Sequence, residues 1–121
     1  MPSFLPDTEP ILDPAPYREL FENGDPEGAA WMESYLATAA RGLEDMRRAL
    51  AVGDRKELAA SAHRIGGSSL IVGARRLGLL CQRIEIEASQ KPVPELAAMV
   101  DEAALEFDAA RGEIARFIAR R

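Results

Sequence analysis

The chain has 121 residues, 47% of them hydrophobic, with a formal charge of −5 at neutral pH, one Cys and one His. That length fits a single domain whose core needs no disulfide or metal; Cys81 and His63 are too few for a zinc site of ordinary ligand spacing, and the negative charge argues against a general nucleic-acid binder. No stretch approaches the roughly 18 consecutive apolar residues of a membrane span, and the opening MPSFLPDTEPILDP lacks the basic start and apolar run of a secretory leader, so a cytoplasmic protein without a membrane segment is expected.

The prolines of residues 1–12 predict an extended N-terminal arm, with one domain over 13–121. Asp13-Pro14 has the form of a helix N-cap followed by Pro in the first helical position, and a short helix carrying Tyr17, Leu20 and Phe21 should follow it and end at Asn23-Gly24. Asp25-Pro26-Glu27 repeats the start signal. The helix after it shows Ala29, Met32, Leu36, Ala39, Leu43, Met46 and Leu50 at alternating spacings of three and four, one continuous apolar stripe that Gly53 closes. Asp54-Arg55-Lys56-Glu57 reads as a capping box, and the helix it opens should bury Leu58, Ala62, Ile65, Ser69 and Val72 before Gly73. A further helix begins near Ala74 and buries Leu77, Cys81, Ile84 and Ala88. Lys91-Pro92-Val93-Pro94 forms a turn, and a last helix carries Leu96, Val100, Ala103, Phe107, Ala110, Ile114 and Phe117. With no β alternation, the fold class is all-α: an up-down-up-down four-helix bundle with a short additional N-terminal helix.

Two features do not serve the core. Residues 54–83 hold Arg55, Lys56, Arg64, Arg75, Arg76 and Arg83 against Asp54 and Glu57, a local +4 in an acidic protein that suits an acidic partner or a phosphoryl group. The second is His63, followed by Gly66, Gly67, Ser68 and Ser69. At about 100° per residue, with Leu58 at zero, Ala62, Ile65, Ser69 and Val72 lie within about 40° of the core direction, whereas His63 falls near 140°. Around it stand Ala59, Ala60, Gly67 and Leu70, small or apolar on a face that would normally carry Lys, Glu or Gln. Gly costs roughly 1 kcal/mol against Ala in a helix; Gly67, facing outward, offsets that cost by clearing the approach to the imidazole. Gly66, near 80° at the edge of the core stripe, is grouped with the docking residues, although its angle also suits close contact with a neighbouring helix. Ser68 and Ser69 are both expected to bond back to the preceding turn.

From Ala62 to Glu85 the chain reads A-H-R-I-G-G-S-S-L-I-V-G-A-R-R-L-G-L-L-C-Q-R-I-E. This resembles the signature of histidine-containing phosphotransfer (HPt) domains, approximately A-H-x-L-K-G-S-S-x-x-x-G-A-x-x-L-x-x-L-C-x-x-L-E. Ala62, His63, Gly67, Ser68, Ser69, Gly73, Ala74, Leu77, Leu80, Cys81 and Glu85 match it directly, and Ile65 and Ile84 replace leucines. The resemblance implies a four-helix bundle with an exposed, phosphorylatable histidine. It assigns His63 as phospho-acceptor, Glu85 as the group that orients the imidazole, and Gly67 as the residue that admits a receiver domain. Where the family carries Lys three residues after the histidine, this chain has Gly66. Arg64, Gln82 and Arg75 are the candidates to hold the phosphoryl oxygens instead, and the phosphohistidine is expected to depend more on donors from the partner.

The function implied is that of a phosphorelay intermediate, taking a phosphoryl group from a receiver-domain aspartyl phosphate onto His63 and passing it to the aspartate of another response regulator. Nothing resembles a nucleotide-binding loop, so the chain would be a phosphoryl carrier more than an autonomous enzyme. It would need no cofactor or metal of its own, Mg²⁺ arriving with the receiver's acidic pocket. Its partners would be response-regulator receiver domains and a hybrid sensor kinase, met as a monomer over Ala59, Ala60, Gly66, Leu70 and Ile71, with no nucleic acid and no membrane involved. The alternative is a helical adaptor that docks receivers without carrying phosphate, a reading the missing lysine favours.

Overall fold

The computed structural model describes residues 10–15, 18 and 26–119. The described residues form four helices and no strand: α1 (Pro26–Val52), α2 (Arg55–Val72), α3 (Arg75–Glu87) and α4 (Val93–Ala119). Each helix packs on two others, α2 on α1 and α3, α4 on the same two from the opposite side. The short helix expected after Asp13 and most of the N-terminal arm lie outside the described residues. None of the described helices is long and apolar enough to cross a membrane.

The predicted boundaries rest on local chemistry that the structure makes explicit. Gly53 and Gly73 adopt φ of +72° and +88°, a left-handed conformation open to Gly at little steric cost, and each closes a helix. After α2, the amide of Gly73 donates to the Leu70 carbonyl and that of Ala74 to the Ser69 carbonyl, which satisfies carbonyls the helix leaves open. Gly73 is needed for a second reason: a Cβ there would collide with the Asp13 carbonyl oxygen, and the Asp13 amide donates to the Gly73 carbonyl at 2.7 Å. The N-terminal segment is thereby tied to the α2–α3 turn. The Asp13 carboxylate also accepts from the Ala15 amide at 3.1 Å.

Only half of the capping box at α2 forms. The Asp54 carboxylate accepts from the Glu57 amide at 3.0 Å, but Glu57 does not return the bond. The Asp54 amide is already committed to the Ala49 carbonyl at 2.8 Å, closing α1. Glu57 turns instead to the Ser61 hydroxyl and to Arg64. The last helix starts at Val93, inside the expected turn, because Pro94 is compatible with a first helical turn whose amides have no partner within the helix. Arg55 fastens that turn from α2 by donating to the carbonyls of Ala88 and Lys91.

The core holds the predicted residues of α2, α3 and α4, with Leu80 and Met99 added and Phe117 only half-buried. In α1 the stripe is rotated. Met32, Ala39, Leu43 and Met46 are buried, but Leu36 and Leu50 are half-buried, while Tyr35 and Ala49 go inside. α1 must face α2 and α4 at once, which widens its buried face beyond a single stripe. Gly42 lies on it, so close to α2 that a Cβ would come within 2.6 Å of the Ile65 side chain.

Candidate functional site

The α2–α3 seam places the site. Its contacts run in opposite order along the two helices: His63 meets Glu85, Gly66 meets Cys81 and Gln82, Leu70 meets Gly78. The two helices are therefore antiparallel, and the turn at Gly73 brings the single histidine level with Glu85. The approach is close because the contact residues are small. A Cβ on Gly78 would lie 2.7 Å from Leu70, and one on Gly66 would lie 3.4 Å from both Cys81 Cβ and the Gly78 carbonyl oxygen.

His63 Nδ1 stands 3.1 Å from each carboxylate oxygen of Glu85. The imidazole is 72% exposed and the carboxylate 37% exposed, so the pair sits at the surface, and among the described residues the other ring nitrogen has no partner. Gly67 is open: among the described residues, no atom lies within 4 Å of where its Cβ would be. Ile71, 65% exposed, lies two turns further along α2. Ala59 and Ala60 are half-buried and leave the surface beside His63 low.

Several expected residues are placed differently. Gly66 is buried against α3 and offers nothing to a docking partner; its angle near the core edge reflects helix–helix contact. Leu70 is only half-exposed, since it folds over Gly78, a cavity that no other residue type would leave. Arg64 does not curl towards His63. It pairs with Glu57 at 3.2 Å and donates to the Ser61 hydroxyl at 3.1 Å, back along its own helix on the side facing α1. Arg75 opens α3, about three turns and roughly 15 Å along the helix from Glu85, too far to reach a group on His63. Gln82 is the candidate that lies near. Its exposed side chain crosses the space beside Gly66, with Cγ 3.7 Å from where a Cβ at 66 would stand.

The two serines separate. Ser68 bonds back to the carbonyls of Arg64 and Ile65, as expected. Ser69 does not; its hydroxyl meets the Tyr35 hydroxyl at 2.7 Å inside the bundle, a partner on α1 that helix geometry alone could not supply. Burial pushes the Tyr35 phenol up to about 12, with the Ser69 hydrogen bond acting in the opposite direction, and burial likewise pushes the Cys81 thiol up to about 12. Cys81 is thus a packing residue with little thiolate character.

One surface residue was missed. Ile86 follows Glu85 on the outer side of α3 and is 70% exposed. The signal was available: a third turn of 100° per residue from Leu77 puts position 86 near 180°, where a solvated helix would carry a polar residue.

No curated protein matches the chain in sequence. Among solved structures the chain is similar to histidine-containing phosphotransfer protein B (HptB) from Pseudomonas aeruginosa PAO1, with a TM-score of 0.83 and 24% identity over 94% of this chain and 99% of that one, a likeness of fold. The family model for the Hpt domain matches residues 30–113, a span that contains His63, Glu85 and the whole α2–α3 seam. The chain belongs to the Hpt domain family.

Proposed function

We propose that the protein is a phosphorelay intermediate in which His63 accepts a phosphoryl group from the aspartyl phosphate of one receiver domain and passes it to the aspartate of another. The observation that carries this reading is the double contact of Nδ1 with the Glu85 carboxylate, at 3.1 Å, on a ring that is otherwise exposed. With Nδ1–H donating to the carboxylate, Nε2 keeps its lone pair and is the nucleophile. It attacks phosphorus in line with the bond to the partner's aspartate. The N–P bond forms as the P–O bond breaks, and the electron pair leaves with the aspartate as a carboxylate. Nδ1 retains its proton, so the phosphorylated ring is cationic, and the Glu85 carboxylate offsets that charge. Transfer onward is the reverse: a receiver carboxylate oxygen attacks phosphorus and the ring returns to neutrality. No proton has to enter or leave in either direction.

Gln82, beside Gly66, is the residue of this chain best placed to donate to a phosphoryl oxygen. Its amide is neutral, so the charge a lysine would bring is left to the partner and its Mg²⁺. We further read the four helices as an up-down-up-down bundle over a single domain of residues 13–121, acting as a monomeric carrier in the cytoplasm with receiver domains and a hybrid sensor kinase as partners. The adaptor reading draws on the same Gly66, and one experiment separates the two. Incubation with a phosphorylated receiver should give an acid-labile, base-stable label on the wild type and none on His63→Gln. A wild type that takes no label, or a label that survives His63→Gln, overturns the proposal.

A further inference from the structure

The six cations between residues 54 and 83 are equivalent in the sequence, but the structure separates them. Arg55 donates to two backbone carbonyls at 2.9 and 2.7 Å. Arg64 is held by Glu57. Arg76 lies nearly buried against Glu106 at 2.9 Å. Arg83 reaches Glu87 at 3.4 Å, and Arg75 is engaged as well. Lys56 is exposed and, among the described residues, its ammonium has no carboxylate and no hydrogen-bond partner. It stands two turns before His63, about 20° from it around the helix and about 10 Å along it, so both share one outward face. Ala59 and Ala60 lie between them and raise no obstacle.

We propose that Lys56 steers the acidic, phosphoryl-bearing pocket of a receiver domain onto His63. This rests on the phosphorelay reading and adds to it the residue that guides the encounter. An unpaired ammonium presents its full charge to an approaching partner, whereas a guanidinium beside a carboxylate presents little at a distance. Side chains on a helix lean towards its N-terminus, so the Lys56 ammonium leans away from the path of the phosphoryl group. It therefore falls at the rim of any partner that covers His63. A rim charge acts on association rate and its salt dependence, and hardly on events inside the bound complex.

The test is the rate at which label passes from a phosphorylated receiver to the protein, at concentrations where association limits, in low and high salt. Lys56→Glu should be about three- to tenfold slower than the wild type in low salt, with Lys56→Gln between, and the difference should close as salt screens the charges. Glu57→Gln combined with Arg64→Gln, which removes that ion pair without changing the net charge, should stay within about twofold of the wild type. The lifetime of the isolated phosphohistidine should not change in Lys56→Glu. The fold is safe in this variant, since Glu near a helix N-terminus is favourable. Equal rates for Lys56→Glu and wild type in low salt, a deficit that persists in high salt, or a shortened phosphohistidine lifetime would each overturn the assignment while leaving the phosphorelay reading intact, provided the wild type is labelled on His63. A wild type that takes no label overturns both.

Discussion

Among the described residues, a side-chain hydroxyl pair ties α2 to α1 and an imidazole–carboxylate pair ties it to α3, and the two pairs are opposites. Towards α1, Ser69 and Tyr35 meet at 2.7 Å inside the bundle, where each hydroxyl finds its partner in the other and water is excluded. Towards α3, His63 and Glu85 meet at 3.1 Å on the surface, and the contact uses only one ring nitrogen. The glycines divide the same way. Gly42 is pressed against Ile65 and Gly66 against α3, while Gly67 touches nothing. The contrast teaches how one helix serves two ends. Its inward and lateral positions are filled to lock the bundle, and Gly67 beside His63 is left unfilled, which on the proposed function is where a receiver domain would dock.

The sharpest way to break that contrast is to fill the open side. Gly67→Leu adds a side chain where no atom lies within 4 Å, so the monomer should gain about 1 kcal/mol of helix propensity and melt slightly higher. Transfer from a receiver should fall by roughly one to two orders of magnitude, the equivalent of about 1–3 kcal/mol of overpacking at the docked interface. Stability up with transfer down is the signature; thermal melts beside transfer kinetics read it, and unimpaired transfer would show that the partner does not come close at Gly67.

The closed side responds in stability alone. Ser69→Ala leaves the Tyr35 hydroxyl buried without a partner and should cost about 1–3 kcal/mol. Tyr35→Phe should cost less, about 0.5–1.5 kcal/mol, because Ser69 can fall back on a carbonyl of the preceding turn. Denaturant melts that rank the two in the other order would mean that the two hydroxyls do not form a closed pair. Phosphoryl transfer per folded molecule should be unchanged in both.

What the sequence reveals follows the same division. Helix boundaries were legible because Gly53, Gly73 and Asp54 act on the residues beside them. The outward direction of His63 was legible because it depends only on position within one helix. Glu85 opposite His63 came from resemblance, since its place depends on how two helices register. The misplacements have that same origin. Ser69 found Tyr35, Leu70 found Gly78, and Gly66 went under α3, each settled by a residue distant in sequence. Arg64 and Arg75 looked available because a sequence shows charges without their partners; Glu57 holds the first, and the length of α3 removes the second.

The smallest effect is expected at the open pair, and it tests whether the carboxylate does more than hold the ring. Glu85→Gln is nearly isosteric and still offers a carbonyl oxygen to Nδ1–H, so the tautomer with a free Nε2 is preserved. What it removes is the negative charge beside a ring that, on the proposed mechanism, becomes cationic as the N–P bond forms. Hydrogen bonds to a charged partner are about twice as strong as neutral ones, and the pair is partly solvated, which limits the difference. Phosphorylation of Glu85→Gln should therefore slow by roughly fivefold, about 1 kcal/mol, with folding unchanged. Glu85→Leu takes away the acceptor as well and should slow it further. If the Gln and Leu variants are equally impaired, the charge is the whole contribution of Glu85; if Gln matches the wild type, orientation of the ring is all that Glu85 supplies, and the offset of the phosphorylated ring's charge must come from the docked partner.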